Sequence, residues 1–289
     1  MKKKSKVIAI ASPTATGKSK LAVELAHKLN GEIVSADSRL VYKGFEIAVA
    51  KPTIEEREGI KHYLIDVVEP EVDYTAGLYV DDATKAIEEI LSKGKTPIIV
   101  GGTGLYIKAG LYNYVFETEN DINNTYDNLT NEELYNLVLI KDPNTFIHIN
   151  NRKRMIRFLN KKETVKDKDK LLYNVKFIGL TTSREILYDR INKRVDDMIK
   201  NGLIEEVKSL YDKNIRSKAI MTGIGYKELY DYFDGNISLE DAINLIKQRS
   251  RHYAKRQYTW FNNQMDIKWF DVDFDDFNNT INEVINYIK

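Results

Sequence analysis

Ser12-Pro13-Thr14-Ala15-Thr16-Gly17-Lys18-Ser19 places a lysine, a hydroxyl and a run of small residues at the spacing of a phosphate-binding loop. In such a P-loop, successive backbone N–H groups and a helix N-terminus surround phosphate oxygens, Lys18 adds a point charge, and the Ser19 hydroxyl can ligate Mg²⁺. Only the first glycine is missing. Ser12 stands there, at an expected backbone cost of about 1 kcal/mol if the position needs positive φ. An ordinary strand-to-helix turn capped by Ser19 is the lesser reading, because Gly-Lys-Ser directly after an apolar strand carries most of the motif's information. A second glycine-rich turn, Gly101-Gly102-Thr103-Gly104, is by itself as consistent with close packing as with a ligand contact. Asp37 and Asp66 each lie at the end of a short apolar run. A carboxylate there can serve as a base or a magnesium partner, or it can cap a turn; Asp66 ranks below Asp37.

These side chains need a scaffold that brings strand ends together. Val7 to Ala11 is uniformly apolar, as for a strand buried on both faces, and it leads into a helix from about Ser19 to Leu29. Glu32 to Ser35, Tyr63 to Ile65 and Pro97 to Val100 read as further strands. Thr75 is placed to cap a helix with apolar positions Tyr79, Ala83, Ala86, Ile87, Ile90 and Leu91. This alternation predicts an α/β fold with a parallel, doubly wound sheet, whose carboxyl-end turns share one crevice. After Leu111 the chain becomes Asn- and Tyr-rich, then helical and basic up to Lys170, which reads as an insertion. Val175 to Leu180 returns to strand, and from Ser183 the pattern is mostly amphipathic helix, broken at Gly202 and Gly235. The acidic run Asp271 to Asp276 lacks the glycine and bidentate glutamate of a calcium loop and reads as a solvated turn.

Over 289 residues, 44 Lys plus Arg balance 43 Asp plus Glu, so any nucleic-acid footprint must be local. The absence of cysteine excludes disulfide scaffolds, thiolate metal sites and cysteine nucleophiles, and favours a cytoplasmic location. The apolar run behind the basic first residues is too short for a signal peptide or a membrane span. Two basic groups stand out: Arg152, Lys153, Arg154 and Arg157, and Lys247, Arg249, Arg251, Lys255 and Arg256, the latter interleaved with Tyr253, Tyr258 and Trp260. Each is either a nucleic-acid contact or a solvated helix face. His62 and His252 are read as structural, not as metal ligands.

Taken in order, the P-loop, Ser35-Ala36-Asp37-Ser38 with Val41-Tyr42-Lys43-Gly44, Ala50-Lys51-Pro52, His62 to Asp66, Gly101 to Tyr106, Gly225-Tyr226-Lys227-Glu228 and Tyr253-Ala254-Lys255-Arg256-Gln257 with Thr259-Trp260-Phe261 resemble the tRNA dimethylallyltransferase family over nearly the whole chain. The resemblance implies a P-loop NTPase-like parallel sheet flanked by helices, with a catalytic core at 1–111 and 171–289. It also implies a shortened, mainly helical insertion domain at 112–170 that contacts the tRNA anticodon stem. The implied reaction moves a dimethylallyl group from its diphosphate to the exocyclic amine of the adenosine 3′ of the anticodon, with Mg²⁺ and Ser19 as its ligand. Ser12 to Ser19 would hold diphosphate, so the nucleotide-binding motif need not bind ATP as a reactant. Asp37, Thr103 and Lys18 are the implied catalytic residues. Asp37, Ser38, Arg39, Leu40, Thr103, Lys153, Arg154, Arg157, Lys255, Arg256 and Gln257 are the implied tRNA contacts. A monomer without membrane association is expected. Departures from the family pattern include Leu40 where Gln is usual, and Asn262 where Arg is common. Leu40 and Ser12 keep open a tRNA-binding paralogue with little activity; a P-loop transferase or kinase acting on free nucleotide is the other alternative.

Overall fold

The computed structural model describes residues 4–114, 126, 128–160 and 170–289. It comprises two compact units, Met1–Asn113 with Leu171–Lys289, and Tyr114–Lys170.

The larger unit begins with β1 (Lys6–Ala11), α1 (Lys18–Leu29), β2 (Gly31–Ser35), β3 (His62–Tyr63), α2 (Ala76–Ser92), β4 (Thr96–Gly101) and α3 (Gly104–Leu111). The smaller unit holds α4 (Asn131–Lys141) and α5 (Arg152–Leu159). The larger unit then resumes with β5 (Asn174–Thr181), α6 (Arg184–Lys200), α7 (Leu203–Asp212), α8 (Lys218–Thr222), α9 (Tyr226–Phe233), α10 (Leu239–Gln264), β6 (Lys268–Asp271) and α11 (Phe277–Ile288).

Among the described residues, six strands form one parallel sheet in the order β3-β2-β4-β1-β5-β6. Because side chains alternate along a strand, β1 feeds two cores. Val7, Ala9 and Ala11 enter the one built with α2, α3 and the later helices, including Tyr79, Ile87, Ile107, Tyr226 and Phe261. Ile8 and Ile10 face the opposite layer, where Leu21 and Leu25 of α1 meet Ile281, Val284 and Ile288 of α11. From β1 the chain crosses over β4 to reach β2, and β4 then fills the gap between them. The resulting crevice at the carboxyl ends is where ligands bind in open α/β sheets.

Two departures from the sequence reading are local. The strand expected at 63–65 stops at Tyr63, because Leu64 and Asp66 adopt left-handed φ of 62° and 57°. The stretch after Ser183 also contains β6, a four-residue edge strand too short to announce itself beside helical periodicity.

Within the smaller unit, Thr130 and Glu133 form a reciprocal capping box that starts α4. Leu134, Val138, Ile147 and Met155 form its core. Arg152 does not face solvent as a phosphate contact would: its guanidinium donates to Leu129 O at 2.6 Å and Tyr126 O at 3.0 Å. Of the expected insertion, 115–125, 127 and 161–169 lie outside the described residues. Among the described residues, no helix is long and apolar enough to cross a membrane.

Candidate active site

Ser12 to Ser19 join β1 to α1 as a loop tied to three other helices and a strand. Ser12 is not the strained position anticipated from sequence. It has no positive φ, is fully buried, and its Oγ accepts the Leu180 N–H at 2.7 Å, so it ties the loop to β5 rather than facing a ligand. The left-handed positions are Ala15, at φ 64°, and Gly17, at φ 90°. The Thr16 hydroxyl donates to Pro13 O at 2.9 Å and closes the loop on itself. The first backbone bond of α1 runs from Leu21 N–H to Gly17 O at 3.0 Å, and no acidic residue occupies its first turn. The amides before Leu21, beside the exposed Ser19, therefore form a helix N-terminus open to an anion.

Two arginines that the sequence reading passed over reach this loop from α6. Arg194 Nη1 donates to Thr14 Oγ1 at 3.3 Å, and Arg190 Nε donates to Ala15 O at 3.0 Å. Their i, i+4 spacing on a helix that follows β5 was the available signal, since it puts both on one face. Lys18 Nζ lies 3.3 Å from Pro13 O. Burial, and then the Arg194 charge, pull the Lys18 pKa down to about 8 against the attraction of Asp37. Burial lowers the Arg194 pKa also, again opposed by Asp37. Two crowded cations beside the open amides at the start of α1 fit a polyanion such as a diphosphate.

The facing wall comes from β2 and β4. Ala36 N–H donates to Val100 O at 2.7 Å, and Thr103 N–H donates to Ala36 O at 3.2 Å. The chains approach so closely here that a Cβ on Gly101 would sit 2.1 Å from Ala36 O, which only glycine avoids. Asp37 Oδ1 accepts the Arg39 N–H at 2.9 Å, a turn-capping bond; among the described residues its Oδ2 has no hydrogen-bond partner. Thr103 Oγ1 accepts the Ser38 N–H at 3.0 Å, and the Tyr253 hydroxyl lies near enough to feel it. Burial, followed by the Asp37 charge, pushes the Tyr253 pKa up to about 12. Asp37, Thr103 and Tyr253 thus form a polar cluster electrostatically linked to Lys18 and Arg194.

Other residues singled out from sequence sort into contacts and supports. Arg39 donates to Ala219 O at 2.9 Å and Thr222 Oγ1 at 2.8 Å, so its guanidinium clamps the Asp37 loop to α8. Leu40 is half-exposed. Asp66 is spoken for by the buried Lys51 ammonium, which also meets Glu46 at 2.6 Å. Gln257 was expected to touch RNA; instead it is buried, with Oε1 accepting the Thr14 N–H at 3.0 Å and Nε2 donating to Gly102 O at 3.0 Å. It staples the two glycine-containing turns together, with both ends of its amide engaged by the backbone. The second basic run divides likewise. Lys247 pairs with Asp196 at 2.6 Å, Arg249 with the buried Glu228, and Arg251 with Asn192 Oδ1 at 2.6 Å. Lys255 and Arg256 are exposed, as are Lys153, Arg154 and Arg157 on α5.

A parallel sheet with an anion-binding loop after its central strand, and a carboxylate and hydroxyl across the crevice, defines a P-loop-type α/β protein built to act on a phosphorylated substrate. Residues 40–264 match the IPP transferase family, and the chain belongs to it. It is 46% identical over 299 residues to a tRNA dimethylallyltransferase of Anoxybacillus flavithermus, an alignment covering 98% of this chain and 96% of that one. The crystal structure of tRNA delta(2)-isopentenylpyrophosphate transferase from Staphylococcus epidermidis superposes with a TM-score of 0.77 at 42% identity, covering 99% of both chains. A eukaryotic dimethylallyltransferase acting on tRNA gives a TM-score of 0.81 at 30% identity, covering 97% of this chain and 77% of that one.

Proposed function

We propose that this chain transfers a dimethylallyl group from dimethylallyl diphosphate to the exocyclic amine of the adenosine 3′ of the tRNA anticodon, releasing diphosphate. The observation that carries the reading is the pairing of the Lys18 and Arg194 cations, beside the open amides at the start of α1, with the Asp37, Thr103 and Tyr253 cluster opposite, in a member of the IPP transferase family.

An allylic diphosphate ionises readily because the carbocation is delocalised, so the protein's main task is to stabilise the departing anion. Lys18, Arg194 and the first amides of α1 hold that charge as the carbon–oxygen bond breaks. The adenine amine is a poor nucleophile and must be held against the cation. Thr103 positions the nucleotide, and Asp37 Oδ2 accepts the amine proton as the carbon–nitrogen bond forms. The described residues contain no cluster of three or more His, Asp or Glu able to hold a metal. The exposed Ser19 hydroxyl at the start of α1 fits a Mg²⁺ shared with substrate phosphates, where the ion would supply charge neutralisation to the leaving group. Exposed Lys153, Arg154, Arg157, Lys255 and Arg256 supply phosphate contacts to the anticodon stem-loop. The protein works in the cytoplasm as a monomer.

The test combines purified protein, Mg²⁺, dimethylallyl diphosphate and unmodified tRNA without ATP, read by nucleoside mass spectrometry. Prenylated adenosine is expected. Product that forms only with ATP, or only from free AMP, would move the assignment to a nucleotide-directed transferase or kinase.

A further inference from the structure

The stretch from β6 into α11 lies beyond residue 264, where the family match ends, yet Phe277, the first residue of α11, packs against Gly17 of the phosphate loop. The acidic run that reads as a solvated turn is closed on one carboxylate. Asp273 Oδ1 accepts the N–H groups of Asp275 at 3.0 Å and Asp276 at 2.8 Å, and Oδ2 accepts from Asn279 Nδ2 at 2.8 Å. Asp273 N–H donates to the buried Thr280 hydroxyl at 2.9 Å, and Asp276 caps α11 through Asn278 N–H at 3.1 Å. A turn fixed at this many points holds its two phenylalanines in defined places.

Phe277 meets one left-handed position of the loop directly, and Phe274 reaches the other through Arg190. The ring of Phe277 lies so near Gly17 that a Cβ there would stand 3.0 Å from Cε2 and 3.1 Å from Cζ. Lys20 Nζ sits 5.0 Å from the centroid of the same ring. The Phe274 ring lies 3.8 Å beneath the guanidinium of Arg190, whose Nε holds the carbonyl of left-handed Ala15. Each positive-φ residue of the loop is therefore backed, directly or through Arg190, by one aromatic side chain of the C-terminal turn.

We propose that Phe277 and Phe274 are positioning residues for the diphosphate site: the C-terminal turn holds Gly17 and Ala15 in the left-handed conformations that aim the loop amides at phosphate. This rests on the loop binding diphosphate, as proposed above. A loop ordered before binding avoids the entropic cost of ordering on binding, so the role is one of pre-organisation.

The test is calorimetric binding of inorganic diphosphate with Mg²⁺ to the full chain and to three variants. Phe277→Leu and Phe277→Ala should weaken binding by about three-fold and ten-fold respectively. Val284→Ala truncates a buried α11 side chain of the same core that Phe277 packs against, away from the phosphate loop's left-handed residues, so it serves as the control for lost stability. It should lower the thermal midpoint and leave diphosphate affinity within two-fold. A double-mutant cycle between Gly17→Ala and Phe277→Ala should show coupling of about five-fold in the same affinity, because the added methyl meets the ring only when Phe277 is present. Wild type that binds no diphosphate would overturn the functional reading and this inference with it. Wild type that binds, with Phe277→Ala binding as tightly, or with Val284→Ala losing as much affinity as Phe277→Ala, would overturn the inference alone.

Discussion

Asp37 spends one carboxylate oxygen on the Arg39 amide, and among the described residues the other has no hydrogen-bond partner. The capping role and the proton-accepting role thus coexist on one side chain. Asp37→Asn retains an oxygen for the cap and removes the base, so turnover should fall by about 100-fold or more while tRNA affinity stays nearly unchanged. Steady-state kinetics beside a binding titration check this, and near-normal turnover would leave Asp37 as a cap alone. Lys18 gives a prediction in pH. Its pKa in the folded chain is about 8 against an ordinary 10.5, so across that window the unfolded chain holds the extra proton and this group's contribution to stability rises with pH. Diphosphate binding has the opposite sign. The anion needs the ammonium form and raises its pKa, so affinity should fall as pH climbs above about 8, with proton uptake on binding. Calorimetry of dimethylallyl diphosphate binding in buffers of different ionisation enthalpy measures both quantities. A flat affinity across the window would mean that Lys18 does not carry the contact.

At the level of elements, the crevice depends on α10 as much as on the strands that line it. Gln257 bonds Thr14 on one turn and Gly102 on the other, and Trp260 of the same helix packs so closely on Gly104 that a Cβ there would meet its ring at 2.1 Å. Gln257→Ala leaves the buried Gly102 C=O unpaired at about 1 to 3 kcal/mol and frees the half-buried Thr14 N–H, so the thermal midpoint and diphosphate affinity should drop together. Gln257→Glu keeps the acceptor for Thr14 but adds negative charge beside the phosphate loop, and should bind diphosphate more weakly than Gln257→Ala. A variant that lost tRNA affinity while keeping diphosphate affinity would instead restore Gln257 as an RNA contact. The elements themselves were largely legible in sequence: uniformly apolar strands, a Thr75 cap and Gly-Lys-Ser after β1 are local signals with local causes. The contacts of Gln257, Arg190 and Arg194 with the phosphate loop were not legible, because they join partners 243, 175 and 180 positions apart in the chain. Polarity in a helix says that a side chain can form hydrogen bonds, and only the fold says to what. Ser12 misled for a related reason: the motif fixes where a glycine is usual, whereas the φ values show that this backbone moves its left-handed positions to Ala15 and Gly17.

Across the whole molecule, 44 basic residues offset by 43 acidic ones leave no global field to attract RNA, so affinity must come from particular exposed cations. Sequence proximity alone does not identify them. Lys247, Arg249 and Arg251 are held by Asp196, Glu228 and Asn192, whereas Lys255 and Arg256, a turn further along the same helix, are exposed. Each phosphate contact releases condensed counterions, so the dependence of log Kd on log salt counts them at somewhat less than one unit per contact. Arg154→Ala should therefore lower the slope for tRNA binding by about one and leave the thermal midpoint within a degree or two, since Arg154 is exposed on α5. Arg249→Ala should do the reverse. It leaves the Glu228 carboxylate, 1% exposed and already capping α9 through the Gly225 N–H at 2.7 Å, without its counter-charge, so the midpoint should fall while the slope stays unchanged. Fluorescence titrations of labelled tRNA at several salt concentrations, paired with thermal unfolding, separate the two behaviours. Equal slopes for wild type and Arg154→Ala would make that arginine part of a solvated helix face, and a reduced slope for Arg249→Ala would mean that its ion pair opens to meet RNA.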